Sequence, residues 1–201
     1  AADDQRWEFA GARLEEIATS YLNYYASRYP GIESAGELVT VDDESANVFR
    51  VIERYRLPEF WLEEDGGAYA ELYADAVAGA IPDSETRIRV TPLWVDFPRH
   101  LVQRMEVELP EEWPEDSQTE TFENAAFTLR VDQSVSGRLA TISWDYRSLA
   151  PEVLVAQVPE VQKSIRELDS SLSYEISWPD EEARGGPSTA ATAPAGPAGA
   201  A

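Results

Sequence analysis

The chain has 201 residues, with 38 Asp and Glu against 16 Lys and Arg, and a formal net charge of −22. That balance argues against nucleic acid as a partner, since phosphates are bound by clustered cations that release counterions, and against docking on anionic lipid. Zero Cys removes disulfides, thiolate nucleophiles and Cys-ligated metals together, while 43% hydrophobic residues supply the material for a packed core.

Residues 4–29 read as one amphipathic helix. Ala10, Leu14, Ile17, Tyr21 and Tyr24 recur at three- and four-residue steps, and Pro30-Gly31 stops the pattern. The period then changes to two. Residues 37–41 form a candidate strand, Asp42-Asp43-Glu44-Ser45 an acidic turn, and residues 47–57 a strand with Phe49, Val51, Tyr55 and Leu57 on one face. Asp65-Gly66-Gly67 signals a turn, residues 68–73 are extended and 75–81 make a short helical turn.

Further strands are predicted at 86–90 and at 101–109, where Leu101, Met105, Val107 and Leu109 share a face. Residues 126–135 and 138–147 are predicted to form a hairpin around Ser136-Gly137. Val158, Val161, Ile165, Leu168 and Leu172 give a helical stripe opening at Pro159, and residues 173–178 return as a strand. From Pro179 the composition collapses into Ala, Gly, Pro, Ser and Thr, ending PSTAATAPAGPAGAA, with nothing to bury against roughly 1–2 kcal/mol of ordering entropy per residue. Residues 179–201 are therefore expected to be a disordered tail. No apolar run reaches the roughly 18 residues of a membrane span, so direct membrane insertion is not expected.

Chemistry has few places to reside. His100 is the sole histidine, and no G-x-S-x-G elbow accompanies it, so serine catalysis and a conventional zinc site are both unexpected. Asp42-Asp43-Glu44 and Glu63-Glu64-Asp65-Gly66 do not match the regular calcium loop. Seven acids lie in residues 106–120, in what reads as a solvated loop, and a glycosidase pair requires a geometry that spacing does not supply. Gly66-Gly67 and Gly185-Gly186 lack the flanking pattern of a phosphate loop. No catalytic residue, metal ligand or cofactor is expected, and the chain is not expected to be an enzyme.

Aromatics are the surplus. Trp144 and Trp178 alternate with core positions, whereas Trp61 and Trp113 fall beside prolines and acids in predicted loops, where an indole anchors either the loop itself or a partner. Trp61 and Trp113 are thus the candidate interaction surface. A carbohydrate-binding module using exposed Trp and Tyr, and a hydrolase using paired carboxylates, are the alternatives.

Three segments, residues 21–32 (YLNYYASRYPGI), 51–61 (VIERYRLPEFW) and 107–114 (VELPEEWP), with Tyr146-Arg147-Ser148-Leu149-Ala150 as a fourth, resemble one bacterial family. The chain looks like the β-rich region that follows the catalytic core in transglutaminase-like proteins carrying the domain of unknown function 3857, over residues 14–178. That resemblance implies a non-catalytic accessory domain, a partner in the transglutaminase-like core of the same parent protein, and an extracytoplasmic or periplasmic setting. The core's Cys, His and Asp have no counterparts here.

The expected architecture is mostly β: an antiparallel β-sandwich over residues 32–178, an N-terminal amphipathic helix over 1–31 packed on it, and a shorter helix near 158–172.

Overall fold

The computed structural model describes residues 2–64, 67–82 and 90–178. The protein is mostly β, with antiparallel ladders of two and three strands and helices beside them. It divides into two compact units, residues 1–68 and 69–201. The boundary thus falls inside the region expected to be one domain, and the N-terminal helical segment belongs to the first unit.

That segment is two helices, α1 (Ala2–Gly11) and α2 (Leu14–Ala26), instead of one. Gly11 ends the first, and Arg13 is extended ahead of the second. Four short strands follow: β1 (Glu33–Ser34), β2 (Val39–Asp43), β3 (Val48–Ile52) and β4 (Tyr55–Arg56). β2 pairs antiparallel with β3 and β1 with β4. Arg6 ties α1 to the β2–β3 hairpin, its Nε donating to both Asp42 carboxylate oxygens and its guanidinium to Asn47 Oδ1. Phe9 meets Phe49 beside it at 5.3 Å. Tyr25 of α2 packs edge-on against Tyr55 at 5.4 Å. The helices therefore rest on small hairpins of their own unit. β5 (Leu62–Glu64) is the last complete strand of this unit.

The second unit begins within β6 (Gly67–Tyr73), which is followed by α3 (Asp75–Ala78) and β7 (Leu93–Trp94). The predicted strand at 86–90 falls largely outside the described residues. Next come two long strands, β8 (His100–Glu123) and β9 (Phe127–Ser148), then β10 (Glu152–Val153), α4 (Val158–Leu168) and β11 (Ser173–Trp178). β6 lies beside β11, and β7 pairs antiparallel with β10.

The hairpin is not where the Ser136-Gly137 dipeptide predicts it. β9 runs straight through those residues and pairs with β8, and the reversal is at Asn124, whose Oδ1 accepts from the Ala126 and Phe127 amides. Between the Glu108–Leu139 and Asp116–Val135 pairs, β8 advances eight residues while β9 advances four. Pro110 and Pro114 explain the surplus: neither has an N–H to give the ladder, so β8 bulges around Trp113. Gly137 faces Trp113 with φ +58°, a left-handed conformation that glycine adopts freely. The bulge also changes the phase of burial. Phe127, Leu129 and Val131 are buried on one side of it, and Ala140, Ile142, Trp144 and Tyr146 on the other.

These residues form the core of the second unit together with Val158, Val161 and Leu168 of α4. Trp144 is fully buried, and its Nε1–H donates to Ser171 O at 2.7 Å, pinning the turn after α4 to the hairpin. Gln103 reaches the other side, donating to Tyr73 O and accepting from the Ala76 amide at the start of α3.

Candidate functional site

The two indoles singled out in the sequence are both half-buried. Trp61 stands edge-on to Phe60 with ring centroids 5.3 Å apart. Trp113 is not in a loop but on β8, at the bulge opposite Gly137. The acids around it belong to the same strand, which corrects the expected solvated loop. Arg104 and Arg138 pair with Glu106 and Glu108, and Glu120 accepts from the Ser171 hydroxyl at 2.7 Å.

His100 begins β8, half exposed, with Nε2 3.1 Å from Asp145 Oδ1. Asp145 is held below the usual carboxylate range, first by hydrogen bonds from Arg147 and also by His100. His100, Asp145 and Arg147 form a hydrogen-bonded row on a wet strand face. Asp43 has a structural role in its turn: its Oδ1 accepts from the Ser45 hydroxyl at 2.6 Å and the Ala46 amide at 3.0 Å, which lowers its pKa. Among the described residues no group of three or more His, Asp or Glu is placed to hold a metal ion. Residues 65 and 66 of the second acidic segment lie outside the description.

Exposure points instead to Trp94, which is 72% exposed. Its neighbourhood follows from strand alternation. Leu93, Val95 and Val153 of the β7–β10 pair turn inward and are almost completely buried, which forces Trp94 and its partner Glu152 outward. Leu154 continues the extended chain two residues beyond Glu152, diagonal to Trp94 on the same face, and is 60% exposed. The paired segment extends past β7 through the Val95 N–H to Pro151 O and Ser148 N–H to Arg99 O bonds. Phe97 and Leu149 lie between those bonds, each nearly half exposed. Trp94 and Leu154 thus stand exposed on one face of this pair, beside Glu152.

Sequence reasoning did not select Trp94. The available signal was its position between Leu93 and Val95: when both neighbours of a residue on a half-buried strand are core, the residue itself faces water.

A second feature is a cleft of about 730 Å³ between the hairpin tip and α4. Phe122 and Asn124 come from the tip, and Gln157, Glu160 and Ser164 from the helical side. Asn124 Nδ2 donates to Ser164 Oγ at 3.0 Å, fixing one wall to the other.

Comparison of the chain with protein-family models, with curated proteins and with solved structures found no match. The resemblance to the transglutaminase-associated region therefore rests on its four sequence segments.

Proposed function

We propose that the chain is a non-catalytic interaction module that presents Trp94 as the anchor of a protein-binding face. The observation behind this is the exposed indole of Trp94, with Leu154 diagonal to it, on a strand pair whose other face is closed core. Rigid aromatics within a polar rim are the usual centre of a protein interface. Asp96 and Glu152 in the rim, and a net charge of −22, favour a partner whose own apolar patch is ringed by Lys and Arg. Trp61 and Trp113 are half-buried and belong to packing before contact.

The resemblance names the first partner to try, a transglutaminase-like core from the same parent protein. Trp94→Ala is expected to weaken binding of that core by about 2 kcal/mol, roughly thirtyfold in Kd, with an unchanged melting curve. Association should slow as salt rises, because rim charges steer encounter. Titration calorimetry with the wild type, Trp94→Ala and a Trp61→Ala control decides the matter. Equal binding by wild type and Trp94→Ala, or none by the wild type, would sink the assignment.

A further inference from the structure

The cleft at the hairpin tip shares no lining residue with the Trp94 face, and its lining is chemically mixed. Phe122 offers a half-buried ring from β8. Gln157 supplies an amide that both donates and accepts, and Glu160 adds a carboxylate acceptor on the same helical wall. Ser164 Oγ already accepts from Asn124, which leaves its own proton to donate. Asn124 is itself held by the Ala126 and Phe127 amides, so the floor is preformed.

Charge narrows the ligand class. Glu123, Glu160 and Glu167 outnumber Lys163, and the Lys163 ammonium lies 3.4 Å from Glu167, which rules against phosphate, sulfate or uronate groups. The ammonium, paired with Glu167, also repels a bare cation from that wall. What remains is a neutral molecule with closely spaced hydroxyls and an apolar face. Hydroxyls can donate to the carboxylates and accept from the amide and Ser164, while a sugar ring's C–H face lies on Phe122. The volume falls within the range of small-ligand clefts, roughly 300–1,000 Å³. We propose that the cleft between the β8–β9 tip and α4 binds a short neutral oligosaccharide.

The test uses the full chain with four probes: cellotriose, maltotriose, chitotriose and β-1,4-mannotriose. Saturation-transfer NMR and calorimetry should show binding of at least one, with Kd near ~1 mM, as befits a shallow site for a small polar ligand. Gln157→Ala and Phe122→Leu should each weaken that probe by about fivefold, roughly 1 kcal/mol. Both should leave the melting curve in place, and Trp94→Ala should leave the affinity unchanged. The proposal fails if none of the four binds at about ten times that concentration. It fails equally if binding survives both cleft variants or is abolished by Trp94→Ala.

Discussion

Tyr146 is fully buried, its ring tilted against Phe127 with centroids 5.3 Å apart, and its hydroxyl has no hydrogen-bond partner among the described residues. Burial pushes its pKa from 10.0 up to about 12, with Arg99 opposing and Asp96 adding to the rise. The folded state therefore keeps this proton when the unfolded chain would release it. Stability is untouched below pH 10 and falls between pH 10 and about 12, by about 1.4 kcal/mol per pH unit at most. Tyr146→Phe removes a desolvated hydroxyl without removing the ring. It should be neutral or stabilising by about 1 kcal/mol at pH 7 and should flatten the alkaline loss. Urea unfolding at pH 7 and pH 11 checks both effects. A loss above about 1 kcal/mol at pH 7 would show that the hydroxyl is in fact satisfied. The burial of Tyr146 was legible from its alternation with Ile142 and Trp144. The isolation of its oxygen was not, because alternation says which side a residue faces and nothing of what lies there.

The β8–β9 hairpin shows the same limit for a whole element. A Ser-Gly dipeptide between two alternating runs is the ordinary signal of a tight turn. Here the runs on either side are out of phase: Phe127, Leu129 and Val131 occupy odd positions, and Ile142, Trp144 and Tyr146 even ones. Both a turn and a bulge produce such a phase change, and only the partner strand tells them apart. Pro110 and Pro114, which argued for a loop when β8 was viewed alone, mark the bulge on the other side. Gly137 is the hinge of this arrangement. An added Cβ would meet nothing within 4 Å, so Gly137→Ala should cost only the left-handed backbone penalty, about 1–2 kcal/mol. Gly137→Asn, which tolerates that conformation better, should cost less. Equal and negligible costs by chemical denaturation would mean that the strand carries no strain at this point.

At the scale of the molecule the burial is lopsided. Among the described residues Phe9 and Ile17 are the buried apolar side chains of the first unit, while the second holds the continuous set from Ala70 to Ile176. Residues 69–178 should therefore fold alone. The expected outcome is a cooperative melt with the near-ultraviolet signal of an immobilised Trp144, and residues 1–68 alone should unfold without a sharp transition. A fragment 69–178 that lacked fixed aromatic signals would place part of its stabilisation in the first unit. Its acidic surface should also make its melting temperature rise with salt, since screening relieves self-repulsion.

Composition and periodicity by themselves determined the antiparallel, mostly β class, the C-terminal helix with its Val158, Val161 and Leu168 stripe, and the burial of Trp144. Each of these depends on local backbone period, which one stretch of chain carries in full. The boundary after Ala68, the place of the long reversal and the exposure of Trp94 were decided by tertiary structure. Those outcomes depend on which strand comes to lie beside which. A proline reads as a loop until its partner strand supplies a glycine to face the bulge, and an indole reads as core or anchor until its neighbours have been paired.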